Sequence, residues 1–549
     1  MDTFCNPVNI NYQFQPFFRG RESADPAVVL FRGSYFLFAS HGSGYWTSDD
    51  LMSWSFIEVD TEKQPQFDLY APATLVYGDR LYLTHSQGGD MLYSDNPRNP
   101  NSWVNLGHAY EWNDPALFLD DDGRVYLYDG CSDCAPLRVS RLDPDNHMAL
   151  LEGPVEIFWS DKDRRGFEKR GDANEIDDRQ PHLEGPWMNK LGGRYYLTYA
   201  VPGTEYAAYC DGCAVADSPM GPFRLCNNSP VAYKATGFLR GCGHGCLFAD
   251  KNGHLWKMGT VSIGVNHIFE RRLCLFPALV DEKGRLYTNT LRGDYPMKAP
   301  HETADPFFDA DAGWHLLSCG KAVSASSASG EAHLPQMAAD ENMKTWWSAG
   351  SGNPGEWLQL DLEHACTVHA VQINFADEGT VPAAGRHNGF ACRYTLEGSP
   401  DGVRWQMLQD MRQNDDDATH LYFQLPEPQK LRFLKLTNAG AVPANGKFAV
   451  SGLRVFGFGS GSAPGTAPQF CAERCSDRRN MTVRWNAVSG AEGYIVRFGV
   501  DPAALHTHWQ VIGETAAVIR CLIADETYYV RVDAYNENGY TAGTDLQTV

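Results

Sequence analysis

ADPAVVLFRGSYFLFAS, residues 24–40, is the stretch that decides how the first 300 or so residues fold. An Asp-Pro start, an apolar strand, an Arg-Gly turn and an aromatic strand together predict a β-hairpin. Four further copies of this pattern follow, each with its own Gly-containing turn: APATLVYGDRLYLTHS at 71–86, NDPALFLDDDGRVYLYDG at 113–130, EGPWMNKLGGRYYLTYA at 184–200 and GHGCLFADKNGHLWKMGT at 243–260.

Hairpins that recur at intervals of roughly 43 to 70 residues predict a radial repeat, because a propeller blade of four strands needs about that length. Five copies predict five blades. Segments with helical periodicity are nearly absent from this region, which argues against an α/β barrel of comparable size. The sequence therefore predicts an all-β chain whose residues 1–310 form a five-bladed β-propeller.

Two further β domains are predicted after the propeller. A Ser- and Ala-rich stretch at 318–333 leads into alternating strands such as VHAVQINF and LRFLKLTN, so residues 311–459 are interpreted as a β-sandwich. The linker-like GSGSAPGTAPQ begins at Gly459, and a second, small β-sandwich is predicted over residues 460–549. A chain of 549 residues is long enough for three domains, each with its own core.

Composition restricts the classes of partner. The formal net charge is −22, which repels nucleic acid and anionic membranes and makes a neutral substrate more natural than a strongly anionic one. No apolar run reaches the length of a transmembrane helix. The aromatic content of 12% suits both β-structure and stacking on sugars. We therefore expect an oligosaccharide or polysaccharide substrate, no nucleic acid and no membrane, and leave the oligomeric state open.

The N-terminus and the cysteines bear on location. The first ten residues, MDTFCNPVNI, lack the pattern of a secretory leader, which favours a cytoplasmic protein; removal of a leader is the alternative. The fifteen cysteines are an odd number, and many lie in apolar or turn segments, so most are interpreted as reduced thiols. Two CxxC pairs, Cys131/Cys134 and Cys210/Cys213, raise zinc binding, redox chemistry or disulfides as alternatives. The pairs lie far apart in the sequence, and a structural or incidental role is favoured.

One position of the repeat indicates a functional site. We call it the opening position; it lies just before the first strand of each copy. The strands that begin propeller blades line the central axis, so residues just before them converge. The alignment of the five copies puts Asp25, Ala71, Asp114, Glu184 and His244 at this position. Carboxylates are rarely buried unless they are paired or functional. Asp-Pro turn chemistry is the alternative explanation for the two aspartates, but it does not account for Glu184.

These motifs resemble glycoside hydrolase family 43, which contains β-xylosidases, α-L-arabinofuranosidases, arabinanases and galactan-active enzymes. The resemblance covers residues 1 to about 300 and is carried by ADP, NDPALFLDDDG, EGPW and GHG, in the family's order. It implies that Asp25 is the general base, that Asp114 modulates the pKa of the acid, and that Glu184 is the general acid. An inverting glycosidase needs such a pair, and a third negative charge keeps the acid protonated.

The resemblance implies further site residues. His244 resembles the family's axial histidine, which touches a calcium ion or its waters, so calcium at the propeller centre is the one cofactor expected; a packed or substrate-facing histidine is the alternative, because imidazole is a poor calcium ligand. Arg271 lies near the family's substrate-binding arginine, but the local pattern is Glu270-Arg271-Arg272, which leaves open which arginine faces the pocket. Three tryptophans are candidates for stacking on the sugar, with core packing as the alternative: Trp46, Trp112 and Trp187.

Three other segments receive interpretations. The charged insertion 161–182 is expected to be either a rim over the pocket or a solvated loop. Residues 318–457 resemble the discoidin, or coagulation factor type C, fold of carbohydrate-binding module family 32, through WLQLDL, YTLEGSPDGVRW and VSGLRVFG; sugar binding and a spacer role both remain open. The C-terminal unit resembles fibronectin type III, through Trp485, Tyr494 and YYVRVDAYNENG.

The function predicted from these features is an exo-acting, inverting glycoside hydrolase that removes terminal pentose or galactose residues from plant-type glycans or oligosaccharides, of the α-L-arabinofuranosidase or β-xylosidase type. The alternatives are a non-catalytic carbohydrate-binding propeller, a galactan- or galactofuranoside-active relative, or an enzyme of another five-bladed clan. Three ionisable groups cost solvation when they converge, which favours an enzyme over a lectin. The sequence leaves the sugar and the anomer open.

Overall fold

The computed structural model describes residues 1–15, 18–87, 89–107, 111–380, 391–442 and 445–549. Strands dominate these residues, so the chain is all-β as predicted. The α-helix found within these ranges is a single turn, Pro306–Asp309. No helix in the described part of the chain is both long enough and apolar enough to cross a membrane. Short 3₁₀ turns cover Pro65–Asp68, Pro100–Ser102, Gly166–Glu168, Pro300–Glu302, Glu331–His333 and Pro335–Ala338.

Five antiparallel sheets follow one another along the chain, which confirms the five blades predicted from the repeat. Blade 4 carries one extra strand, Cys131–Ser132, beside its first strand. The four main strands of each blade, in sheet order, are Ala27–Phe31, Ser34–Phe38, Gly44–Ser48 and Ser55–Glu58 in blade 1; Ala73–Tyr77, Arg80–Thr84, Leu92–Ser94 and Val104–Asn105 in blade 2; Ala116–Leu119, Val125–Asp129, Leu137–Asp143 and Ala149–Phe158 in blade 3; Leu183–Leu191, Arg194–Val201, Cys210–Ala216 and Arg224–Leu225 in blade 4; and Gly243–Ala249, Leu255–Ser262, Arg271–Val280 and Leu286–Thr288 in blade 5.

Neighbouring blades pack through the apolar residues that alternate along their strands. Between blades 1 and 5, for example, Leu37 and Trp46 lie in one buried cluster with Trp256 and Met258. Truncation of such core side chains typically costs about 2–5 kcal/mol, because a cavity remains. These packed interfaces hold the blades in a fixed ring and so fix the positions of the residues at the centre.

The N-terminal segment forms a hairpin beside blade 5. Its strands are Gln13–Gln15 and Gly20–Glu22, which pair with each other. Thr3–Phe4 pairs with Met297–Lys298, and so ties the start of the chain to the end of the propeller. The backbone N–H of Ser23 lies 3.4 Å from the carbonyl oxygen of Arg271. The hairpin therefore brings Glu22 next to the third strand of blade 5.

The second domain is a β-sandwich with its own buried core, as predicted. Two long strands, Trp357–Phe375 and His420–Asn438, pair along most of their length and contain irregular registers that bend them. The remaining strands are His315–Leu316, Ala322–Ala325, Trp347–Ser348, Tyr394–Ser399, Gln406–Asp410 and Ala449–Phe458.

The third unit consists of two sheets that share a core with blades 3 and 4 of the propeller. The first sheet contains Phe470–Arg474, Met481–Trp485 and Ala516–Ile519, and the second contains Gly493–Gly499, Thr507–Ile512, Tyr529–Asn536, Gly539–Thr541 and Gln547–Thr548. This is the small β-sandwich predicted from sequence. Its resemblance to fibronectin type III stays a prediction.

The charged insertion 161–182 contacts the third unit and is buried over residues 165–169, whereas all but one of residues 175–182 are exposed, as expected for a solvated loop. Phe167 and Glu168 are fully buried, and the Gly166 N–H donates to the carbonyl of Leu522 over 2.8 Å. Asp177 forms a salt bridge of 2.6 Å with Arg479. Some charges of the insertion thus pair across a domain interface, whereas others, such as those of Asp163 and Arg179, face water.

Candidate active site

The opening position of every blade has left-handed backbone geometry. The φ angles are 52° at Asp25, 43° at Ala71, 46° at Asp114, 55° at Gly185 and 38° at His244. This conformation is uncommon for residues other than glycine, and it clusters at functional sites. Its recurrence at five equivalent places shows that the bend is part of the repeat.

Glu184 is not at the opening position, which corrects the alignment drawn from sequence. The left-handed residue of blade 4 is Gly185, and the regular ladder starts two residues later at Trp187, as it starts at Ala27 two residues after Asp25. A Cβ atom on Gly185 would lie 2.5 Å from the His244 ring, so only glycine fits there. Glu184 therefore reaches the centre from one residue earlier.

Hydroxyl groups of neighbouring blades hold the opening residues in place. The Asp25 N–H donates to Thr260 Oγ1 over 2.8 Å, and the Asp114 N–H donates to Ser86 Oγ over 2.5 Å. The Ala71 N–H donates to Ser40 Oγ over 2.8 Å. These three hydroxyl residues end the first, second and fifth quoted copies, so the repeat itself contained a signal for them that the sequence analysis missed.

Asp25 is held as a carboxylate. Its Oδ1 accepts a hydrogen bond from Arg271 Nη1 over 3.0 Å and lies 3.2 Å from His244 Nδ1, and its Oδ2 accepts from Ser40 Oγ over 2.6 Å. Burial raises the pKa of Asp25, but the charges of Arg271 and His244 and the Ser40 hydroxyl outweigh burial and lower it below its usual range. The predicted base is therefore ionised at neutral pH.

Asp114, in contrast to Asp25, lies in an environment that favours its protonated form. Burial raises its pKa, and the negative charges of Glu184 and Asp25 raise it further, while His244, 3.7 Å from its Oδ2, acts against them. Oxygens of Asp114 and Glu184 lie within 4.8 Å of each other, and Cys131 Sγ lies in the same group. The pocket therefore favours the protonated form of Asp114 more than that of Asp25.

Glu184 receives hydrogen bonds from two groups that stay protonated. Tyr209 Oη donates to its Oε1 over 2.6 Å, and Cys131 Sγ donates to its Oε2 over 3.3 Å. Burial together with the nearby carboxylates raises the pKa of both donors well above their usual values. Cys131 is placed by its short strand, where it pairs directly with Glu184. These two donors fix the orientation of the predicted acid.

Arg271, and not Arg272, faces the pocket. Its Nε donates to Glu22 Oε1 over 3.0 Å, its Nη2 also bonds this oxygen, and its Nη1 contacts Asp25. Glu22 in turn lies 2.7 Å from Nδ1 of His41. The guanidinium stacks over the Phe269 ring at 4.7 Å. Glu22 and His41 were missed from the sequence because they lie outside the repeated motif.

The three candidate tryptophans pack between blades, so the stacking role is not supported by their positions. Trp46 and Trp112 are 0% and 2% exposed, which makes the prediction wrong for both. Trp187 donates its indole N–H to the Leu247 carbonyl of blade 5 over 3.2 Å and packs on buried clusters at both sides. Besides Phe269, the ring of Tyr70 lies near Arg271 and Glu22, with its centre 4.1 Å from that of the His41 ring.

His244 acts as a positive partner of the carboxylates. Burial lowers its pKa, but the charges of Asp25, Asp114 and Glu184 outweigh burial and raise it. An imidazole that ligates a metal is neutral, and calcium prefers oxygen. The Nδ1 atom of His244, which faces Asp25, therefore does not fit a direct calcium ligand.

Two family profiles match the chain. Residues 15–277 match glycosyl hydrolases family 43, and residues 322–450 match the F5/8 type C domain. The chain thus contains a family 43 glycosyl hydrolase domain followed by an F5/8 type C, or discoidin, domain. The resemblances to glycoside hydrolase family 43 and to the discoidin fold are thus confirmed.

Three relatives show what this chain is similar to. A protein named beta-xylosidase from Xylanibacter ruminicola is 29% identical over 134 residues, which are 20% of this chain and 38% of the relative. A xylosidase/arabinosidase from Bacteroides ovatus is 28% identical with the same shares. A protein named beta-D-galactofuranosidase from Aspergillus niger is 24% identical over 238 residues, 36% of this chain and 62% of the relative. The chain thus spans less than two thirds of the length of each.

Proposed function

We propose that the protein is an exo-acting, inverting glycoside hydrolase that removes terminal pentose or galactose residues, of the α-L-arabinofuranosidase or β-xylosidase type. One observation carries this proposal: two carboxyl environments at the same pocket differ in their preference for a proton. Arg271 and His244 hold Asp25 as an anion, while burial and the charges of Glu184 and Asp25 raise the pKa of Asp114, which lies within 4.8 Å of Glu184. Acid–base hydrolysis of a glycoside needs this division of roles.

In the proposed reaction Asp25 accepts a proton from a water molecule as the water oxygen bonds to the anomeric carbon. The bond from that carbon to the leaving oxygen breaks, and Glu184 gives its proton to this oxygen. Arg271 and His244 hold Asp25 in place, and Tyr209 and Cys131 orient Glu184. Asp114 supplies the charge that keeps the acid protonated before the bond breaks.

The names of the relatives support pentose-active and galactofuranose-active chemistry, because they are a beta-xylosidase, a xylosidase/arabinosidase and a beta-D-galactofuranosidase. The test is a side-by-side assay of p-nitrophenyl α-L-arabinofuranoside, β-D-xyloside and β-D-galactofuranoside. We expect turnover of at least one, and loss of this turnover in Asp25→Asn. No turnover of these or of further terminal glycosides, with sugar binding retained, would instead identify a carbohydrate-binding propeller.

Calcium near the propeller centre is a further proposal, with the ion held mainly through water and not through His244 Nδ1. Metal analysis of the purified protein tests it. One equivalent of calcium whose removal lowers the melting temperature supports the proposal, and a protein that contains no calcium and is unaffected by chelators contradicts it.

A reducing, cytoplasmic location is also a proposal. The structure has all fifteen cysteines as thiols, and Cys210 and Cys213 of one CxxC pair are buried, whereas Cys131 of the other lies at the pocket. Thiol titration of the denatured, unreduced protein should give close to fifteen groups; fewer than half would contradict it.

A further inference from the structure

Two neighbouring strands at the edge of the pocket each present consecutive residues to opposite sides. These strands are Gly20–Glu22 of the N-terminal hairpin and Arg271–Val280 of blade 5. Successive side chains of a strand point to opposite faces. Glu22 and Arg271 face the pocket, so Arg21 and Arg272, next to them in sequence, face away from it.

The side away from the pocket is covered by the discoidin domain. Arg21 forms salt bridges of 2.8 Å with both Asp377 and Asp417, and it is 1% exposed. Arg272 donates from Nε to His420 Nε2 over 2.8 Å. Arg272 also donates to the Arg21 carbonyl over 2.6 Å, so the two strands are joined on this side.

The hydrogen bond from Arg272 defines which ring nitrogen of His420 carries the proton. Nε2 must accept, so the ring proton resides on Nδ1, which donates to Asn374 Oδ1 over 2.8 Å. The ring is 1% exposed and packs edge-on against Tyr12 at 5.5 Å. His420 is therefore a neutral, oriented acceptor buried between the discoidin domain and the propeller.

We propose that the discoidin domain positions the catalytic base. Asp377, Asp417 and His420 fix Arg21 and Arg272, and thereby fix the neighbouring Glu22 and Arg271 that hold Asp25. These three discoidin residues are positioning residues, because none of them touches the reacting groups. The inference rests on the proposed hydrolase function and gives the second domain a role other than binding a distant sugar.

The first test compares His420→Leu with His420→Gln. Leucine removes the acceptor for Arg272, whereas the glutamine amide oxygen replaces it. If Arg271 is released, it stabilises the ionised form of Asp25 less, and the pKa of Asp25 rises. Asp25 is then protonated, and activity is lost, at a higher pH as the solution is acidified. We expect the acid limb of kcat/KM to move up by about one pH unit in His420→Leu, and to stay near that of the wild type in His420→Gln.

The second test is the double variant Asp377→Asn, Asp417→Asn, which removes the negative charge of both carboxylate partners of Arg21. Its matched control is Asp177→Asn, which removes an arginine partner at the interface with the third unit, away from the pocket. The double variant should shift the limb in the same direction as His420→Leu, and the control should not shift it. A change in folded fraction alone lowers kcat at every pH and leaves the limb in place.

The acid limb of kcat/KM reports the pKa of Asp25, which depends on the charged and titratable groups around it. The charged or titratable groups that interact with Asp25 are Arg271, His244, Asp114, Tyr209 and Tyr70, and Glu22 shares the Arg271 guanidinium with it. All of them remain in the variants, so a shift arises from their arrangement.

The outcomes distinguish a failure of the positioning role from a failure of the hydrolase function. If the wild type hydrolyses a glycoside but the acid limb is the same in His420→Leu, His420→Gln and the double variant, the positioning role is wrong and the hydrolase function stands. If the wild type hydrolyses no glycoside, the proposed function has failed first. A limb that moves equally in His420→Leu and His420→Gln also contradicts the role of the acceptor.

Discussion

Arg271 Nη1 lies 3.0 Å from Asp25 Oδ1, and the same guanidinium bonds Glu22. The arginine therefore joins the predicted base to a carboxylate that lies outside the repeated motif. In Arg271→Lys one charged atom replaces a planar fork, and it cannot bond both carboxylates in the same way. Asp25 then loses part of the stabilisation of its ionised form.

We expect Arg271→Lys to move the acid limb of kcat/KM to higher pH, because the pKa of Asp25 rises towards its ordinary value and the base is protonated earlier as pH falls. The matched control is Arg285→Lys, which alters a pair with Asp281 at the outer part of blade 5. A pH–rate profile of both variants measures the effect. An unchanged limb in Arg271→Lys would show that Arg271 does not set the protonation of Asp25.

Asp114→Asn should move the alkaline limb of the profile to lower pH. Removal of the carboxylate takes away a negative charge that lies within 4.8 Å of Glu184, so the acid loses its proton earlier as pH rises. Asp120→Asn is the control, because Asp120 lies in the first turn of the same blade and pairs with Lys190 of blade 4. A limb that moves upward in Asp114→Asn would contradict the assigned role.

Glu184→Gln should depress turnover of glycosides with poor leaving groups far more than turnover of activated aryl glycosides. Protonation of the leaving oxygen matters less when the leaving group is already acidic. Asp25→Asn should depress both classes, by about 10²- to 10⁴-fold, because water must be activated in either case. Rates on a p-nitrophenyl glycoside and a natural oligosaccharide measure the difference. Equal losses on both substrates in Glu184→Gln would contradict its assignment as the acid.

Cys131 should react slowly with iodoacetamide at neutral pH, because burial and the carboxylates of Asp114 and Glu184 raise its pKa and leave little thiolate. Cys134 is exposed and should react first, without loss of activity. Later alkylation of Cys131 should abolish activity, because the adduct lies against Glu184. Mass spectrometry of the modified sites against residual activity measures this order. Full activity after complete modification of Cys131 would place it outside the pocket.

The repeat predicted much of the fold because a blade is a local unit. Asp25 and Asp114 were found at the opening position from the pattern alone, and their left-handed backbone explains why the pattern recurs. Glu184 was found as a site residue but misaligned by one position, because the irregular pairing before Trp187 is invisible in a hairpin pattern.

Contacts between distant segments could not be predicted in this way. Glu22 meets Arg271, and Arg272 meets His420, only because three separate parts of the chain pack together. Trp46 and Trp112 were misassigned because an aromatic near the start of a blade fits equally well in the packed interface between blades, which is where they lie.

The central claim is that Asp25 activates water on the side of the sugar opposite the leaving group that Glu184 protonates. Proton NMR of the first-formed sugar, recorded before mutarotation, tests this claim most directly. The account predicts that the anomeric configuration is inverted relative to the substrate. A first product with the configuration of the substrate would contradict it and would assign a carboxylate of this pocket as a nucleophile.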